Sequence, residues 1–172
     1  FVDLAVRDGS VCGLDQQGAV WCVTRDSQAI ALVGGLPPLR SIVGGALSDR
    51  HCGLAVSDST AWCWQTNQAA AAVPASLAFT DLWMGGNFGV GLGFTACGLR
   101  TDSTAACWGE GPLGGGSATA SDAPVAVSGV HRFVELAVGQ QFACGRTTAG
   151  AVWCWGKDYE DFAQNAPDIL VP

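Results

Sequence analysis

Eight cysteines fall in four pairs, and each pair sits in the same local sequence. The second cysteine of each pair closes a short apolar run: GAVWC at 18–22, TAWCW at 60–64, TAACWG at 104–109 and GAVWCWG at 150–156. The first cysteine stands before glycine every time, in Cys12-Gly13, Cys52-Gly53, Cys97-Gly98 and Cys144-Gly145. First cysteines lie 40, 45 and 47 residues apart (12 to 52, 52 to 97, 97 to 144). A chain with such a period is an array of one supersecondary unit, and this spacing suits a four-stranded propeller blade.

Each unit opens on an apolar stretch of strand character: FVDLAV from Phe1, LRSIVGG from Leu39, FTDLWMGG from Phe79 and FVELAVG from Phe133. In the last of these the alternation places Glu135 near a strand edge or in a polar contact. The predicted units are 1–36, 37–76, 77–122 and 123–166, with the start of a fifth strand set at 167–172. Within a unit, nine or ten residues separate the cysteines. If they form a tight hairpin, Gln16-Gln17-Gly18 becomes a three-residue loop with Gly18 at positive φ, and Thr148-Ala149-Gly150 does the same. The two cysteines then oppose each other, close enough for a bridge. The expected disulfides are Cys12–Cys22, Cys52–Cys63, Cys97–Cys107 and Cys144–Cys154, with free buried cysteines as the alternative. Each closes a short loop and contributes about 3 kcal/mol or less. Each neighbouring tryptophan points to the opposite face, because the strand period is two.

Composition narrows the function. The net charge is −7 and Lys157 is the single lysine, so there is no basic stripe to displace counterions from phosphates. Half the residues are apolar (49%), which argues against disorder. The longest apolar run, AAAAVPASLAF, is cut by Pro74 and is too short to span a membrane. No zinc-type CxxC pair occurs. Disulfides imply an oxidising compartment, and the chain reads as a processed or excised piece of something longer.

A strand ending in AVG, then Cys-Gly-Leu, a turn and V-x-C-W-G resembles the regulator-of-chromosome-condensation repeat in its secreted, cysteine-bearing form. WGEGPLG at 108–114 resembles a shortened version of that family's W-G-x-G-x-x-G loop. Pro-x-x-Val/Leu segments at 123–127 and 166–171 are similar to the first strand of its blades. The first unit departs from the pattern, with Val23 for the second tryptophan and Arg7 where the others carry glycine. The third carries an inserted NFGVGLGF around Phe88. The resemblance implies an all-β propeller of about four blades, part of a larger or incomplete ring. Its cysteine-bearing relatives, β-lactamase inhibitors and Crinkly-type receptor ectodomains, imply a rigid platform for binding proteins.

Catalytic and cofactor signals are thin. Ser48-Asp49-Arg50-His51 places serine, acid and histidine together, but triad members come from separated segments. Asp158, Glu160 and Asp161 lack the alternating spacing of a calcium loop, and no metal, cofactor or nucleic acid is expected. The expected function is an extracellular or cell-surface, non-enzymatic binding module whose partner is another protein or the rest of a longer chain. A structural subunit of an extracellular assembly is the second reading, and a propeller lyase or hydrolase the third. Residues that depart from the repeat are free to serve a partner, which nominates Trp83, Asn87, Phe88 and Phe94 as the interface patch.

Overall fold

The computed structural model describes residues 1–7, 9–45, 50–65, 68–86, 93–111, 113–117 and 119–157. Ser48, Asp49, Asn87, Phe88, Asp158, Glu160, Asp161 and the 167–172 segment lie outside the described residues. Every regular element described is a β-strand, and the strands form four antiparallel sheets. Sheet 1 holds β1 (Asp3–Arg7), β2 (Ser10–Leu14), β3 (Val20–Thr24) and β4 (Ile30–Leu32). Sheet 2 holds β5 (Leu39–Gly44), β6 (Arg50–Ala55), β7 (Ala61–Gln65) and β8 (Ala71–Ala72). Sheet 3 holds β9 (Phe79–Gly86), β10 (Phe94–Arg100), β11 (Ala105–Glu110) and β12 (Ala120–Ala126). Sheet 4 holds β13 (Phe133–Val138), β14 (Phe142–Thr147) and β15 (Val152–Gly156). Within each sheet the strands follow chain order, which is the meander of a propeller blade.

The cysteine pairs face each other in register across the second and third strands, and all four are bridged: Cys12–Cys22, Cys52–Cys63, Cys97–Cys107 and Cys144–Cys154. Their Cα atoms are 4.0–4.1 Å apart, the close approach of directly opposed residues. One sheet face therefore carries the disulfide, and the other carries the tryptophans. The glycine after each first cysteine belongs to the tryptophan face. A Cβ there would run into the side chain that opens the unit: Phe1 over Gly13, Leu39 over Gly53, Phe79 over Gly98 and Phe133 over Gly145. Cys-Gly is thus a bridge on one side and a seat for a large apolar group on the other.

The sheets stack with one polarity, each cysteine face on the tryptophan face of the next sheet. At the first junction Ala5, Cys12, Leu14 and Val20 pack with Leu39, Ile42, Ala55 and Trp64. At the second, Cys52, Leu54, Ala61 and Cys63 meet Phe79, Leu82, Ala96 and Trp108. The third sets Cys97, Leu99, Ala105 and Cys107 against Phe133, Leu136, Ala143 and Trp155. Trp64, Trp108 and Trp155, each just after the second cysteine, are buried. Trp21 and Trp62 are half-buried and Trp153 is exposed on the hairpin side, where His131 lies tilted against it with ring centroids 4.1 Å apart. Polar ties also cross the junctions: Ile42 N donates to Asp3 Oδ2 (2.9 Å), and Arg40 Nη2 donates to the carbonyls of Phe79 and Thr80 (2.8 and 3.0 Å). First strands of consecutive sheets lie side by side, whereas sheets 1 and 4 share no comparable contact among the described residues. The four blades form an arc that does not close.

The 123–127 stretch, read as the opening of the fourth unit, instead completes the third sheet. β12 pairs with β11, and Val127 N donates to Ala105 O at 3.0 Å. Pro124 lacks an N–H, and an outer strand has one side where none is needed. Glu135 finds the polar contact its alternation required, an ion pair with Arg146 at 3.0 Å.

Each hairpin between the second and third strands places one residue in the left-handed region: Gly18 (φ 82°), Ser59 (59°), Ser103 (66°) and Gly150 (83°). Replacing either glycine by alanine costs about 1–2 kcal/mol from backbone strain. A Cβ on Gly18 would also come within 2.9 Å of the Leu39 backbone, while one on Gly150 meets nothing. Chemical denaturation should therefore show Gly18→Ala to be clearly more destabilising than Gly150→Ala; equal losses would contradict the packing.

Three of these hairpins are also tied by an aspartate. Asp15 is held below the ordinary carboxylate range first by the Trp21 indole N–H (2.9 Å), then by the Ala19 backbone. Asp58 is lowered by the Thr60 backbone N–H and then its hydroxyl, and Asp102 by the Thr104 hydroxyl and then its backbone N–H. A carboxyl lowered on folding stabilises fully above its unfolded pKa, near 4, and loses that contribution as pH falls through the folded value. Stability should decline below about pH 4, and the triple Asp→Asn variant should show a shallower decline in urea titrations at stepped pH.

Candidate functional site

Departures from the repeat meet at one place. Arg7 ends β1 where the other units have Gly45, Gly85 and Gly139. In the third unit that glycine is required, since a Cβ on Gly85 would collide with the Gly139 carbonyl of the next sheet. Arg7 reaches across the first junction instead, and its Nε–H donates to His51 Nε2 at 3.1 Å. His51 is itself a departure: Ala96 and Ala143 hold the same position before the first cysteine in units three and four. Two exceptions 44 residues apart therefore complete each other.

Around this pair the junction is polar and buried. Ser10 Oγ lies 3.0 Å from the same His51 nitrogen, and both Ser10 and His51 are buried. The imidazole stacks on Trp64 with centroids 5.7 Å apart and planes 14° from parallel. Nε2 is the ring nitrogen that faces both partners, accepting from the Arg7 Nε–H and lying beside the Ser10 hydroxyl. Beside the pair opens a cavity of 910 Å³ lined by Arg7, Ser10, Thr24, Arg25, His51 and Gln65. Its mouth lies on the rim where the first strand of each blade turns into the second.

Ser10 and His51 stand at the distance of a nucleophile and its base. The lone pair that would take the serine proton already accepts from Arg7. The arrangement suits a rigid polar joint between two blades better than a proton acceptor. Among the described residues no cluster of histidine, cysteine or acid could hold a metal ion.

The proposed patch is only partly brought together. Phe94 is not a surface anchor: it is 6% exposed, packs into the second junction and carries Arg50 over its ring at 4.5 Å. It stands in a strand rather than in the enlarged connection, and its side chain belongs to the sheet face that the preceding blade covers. Trp83, opposite Cys97 on the cysteine face, is half-buried against the third junction. Asn87 and Phe88 lie outside the described residues, in the connection between β9 and β10. Sequence reasoning missed the Arg7–His51 pair, although the missing glycine at position 7 was its visible trace.

The fold has clear counterparts. Residues 133–161 match the Regulator of chromosome condensation (RCC1) repeat. Yeast RCC1 (Prp20), solved bound to Kap60, overlays with a TM-score of 0.77 at 16% identity, over 99% of this chain and 47% of that one. Human WBSCR16 overlays at 0.75 and 14% identity, over 99% and 52%. The CRINKLY WD40 ectodomain of the Arabidopsis thaliana receptor kinase ACR4 does so at 0.58 and 24% identity, over 89% and 49%. This chain spans about half the length of those solved chains. No curated protein matches it by sequence. The protein is built of RCC1-like propeller blades.

A double-mutant cycle tests the joint. His51→Ala removes a buried, hydrogen-bonded ring and should cost about 2–3 kcal/mol. In the background of Arg7→Gly the same change should cost less, with a coupling of about 0.5–3 kcal/mol. Additive losses would mean that the two residues do not act together.

Proposed function

We propose that this chain is an extracellular, non-enzymatic binding module, a rigid propeller arc that holds a protein partner on the loops of one rim. The supporting observation is where the irregularities fall. Arg7, His51, the cavity beside them and the connection bearing Asn87 and Phe88 all belong to the rim between first and second strands. The opposite rim carries short hairpins, three of which have polar groups absorbed by their own aspartates. Loops on a rigid scaffold are the usual place for recognition, because the sheets are committed to packing.

Four disulfides favour an oxidising compartment. The structural neighbours are consistent with a platform role: yeast RCC1 was solved with Kap60, a second Prp20p structure is described with binding to Gsp1p and histones, and the ACR4 propeller is a receptor ectodomain. Trp83, Asn87 and Phe88 remain the proposed contact residues, and Phe94 is packed within the second junction.

Phe88→Ala is the discriminating variant. If Phe88 contacts a partner, the variant should unfold within about 0.5 kcal/mol of the parent and should lose the extracellular proteins that the immobilised parent retains. Should it lose about 3–5 kcal/mol while the folded fraction still retains them, the patch is packing rather than interface. Partner retention unchanged at normal stability would also overturn the assignment.

A further inference from the structure

The first junction breaks the repeat at more positions than Arg7 and His51. Two residues after the second cysteine, units three and four have Gly109 and Gly156, both at positive φ (103° and 110°). A Cβ at either would strike a carbonyl, that of Phe94 or of Gln141. Units one and two carry Thr24 and Gln65 there, neither of them at positive φ. Arg7, Thr24, His51 and Gln65 thus stand where later units have glycine or alanine, and all four line the 910 Å³ cavity. The polar exceptions of two blades are gathered around one hollow.

We propose, on the reading of this rim as the binding face, that the cavity takes a carboxylate group from an acidic side chain of the partner, with Arg25 as its anchoring cation. Arg25 lines the cavity and is exposed, and its guanidinium has no hydrogen bond or ion pair among the described residues. A guanidinium offers paired N–H groups that match the two oxygens of a carboxylate. The backbone that carries it is fixed in advance. Arg25 N donates to Gly9 O at 2.8 Å, and Thr24 Oγ1 accepts from Ser27 N at 3.2 Å to close the turn. A loop tied on both sides loses little freedom when a ligand arrives.

Arg7 adds a second positive charge to the same lining while its Nε–H is given to His51. Asp26 is the one acid among the described lining residues, so arginine outnumbers it two to one. The whole chain carries −7, which makes this a cationic hollow in an acidic molecule. Acidic groups elsewhere are screened beyond about 8 Å at physiological salt, and the local arginines decide. Three residues after the second cysteine the third unit has Glu110 in place of Arg25, and it would repel the same ligand. The volume falls within the range of ligand sites, about 300–1,000 Å³. Because the mouth opens on the rim, a side chain can enter while its own backbone stays outside.

Calorimetric titration of the oxidised protein with acetyl-hexaglutamate amide, acetyl-hexaglutamine amide and citrate tests the site. Hexaglutamate should bind and hexaglutamine should not, since the two differ in charge and hardly in shape. Arg25→Gln, at an exposed position, should keep the parent melting temperature and bind hexaglutamate about tenfold more weakly or worse. Arg25→Glu should abolish the binding. Citrate bound where hexaglutamate is not, and lost in Arg25→Gln, would put a free acid in the cavity and overturn the partner as its source. The site itself is overturned if neither hexaglutamate nor citrate binds, if hexaglutamine binds as well as hexaglutamate, or if Arg25→Gln binds like the parent. None of these titrations involves Phe88 or a partner, so a negative result leaves the rim assignment to stand or fall with Phe88→Ala.

Discussion

The glycine beside each first cysteine is what allows a blade to have two unlike faces. A side chain at Gly13, Gly53, Gly98 or Gly145 would exclude the ring or leucine that lies across it. With that group in place, the tryptophan face is filled from the first strand to the third and presents a continuous apolar surface. On the other side the disulfide draws the second and third strands together and leaves a shallow surface of sulfur, leucine and alanine. A bulky face and a shallow face of the same sheet fit each other when sheets are stacked, and the stack acquires a direction. Burying a large apolar side chain contributes about 1.5–3 kcal/mol, and each junction buries several.

A repeat that satisfies itself in this way has little chemistry to spare, so the exceptions carry the information. Arg7 and His51 replace a glycine and an alanine, and together they fill with polar groups a junction that elsewhere closes by backbone contact. His51 is held between an arginine donor and the face of Trp64, which makes the first junction specific as well as tight. On the opposite rim the aspartates of three hairpins spend their oxygens on local N–H and hydroxyl groups. The two rims thus differ in kind, one closed on itself and the other open to what lies beyond the sheets.

Edges and ends are handled differently. The outer strands are short in β4 and β8 or interrupted by Pro124 in β12, which discourages edge pairing with other chains. The broad face of sheet 1 has no such protection. Its exposed valines, leucines and isoleucine lie on the same kind of sheet face that stacking covers three times among the described residues.

Cysteine spacing alone determined the hairpins, their bridges, the opposition of tryptophan and disulfide, and Gly18 and Gly150 as the turn residues, because these are local consequences of strand period and turn length. Glu135 was legible for the same reason. The role of Phe94 was not: whether a phenylalanine next to an enlarged loop is surface or core depends on the neighbouring blade, and here Arg50 and the second junction close over it. The 123–127 strand was equally ambiguous, since a proline-containing strand fits an outer edge of one blade as well as the opening of the next. Arg7 and His51 stand 44 residues apart with no motif between them. Only the stacking of sheet 1 on sheet 2 brings them within a hydrogen bond, because the period of the sequence sets what each blade looks like and the packing of faces decides which residues of different blades meet.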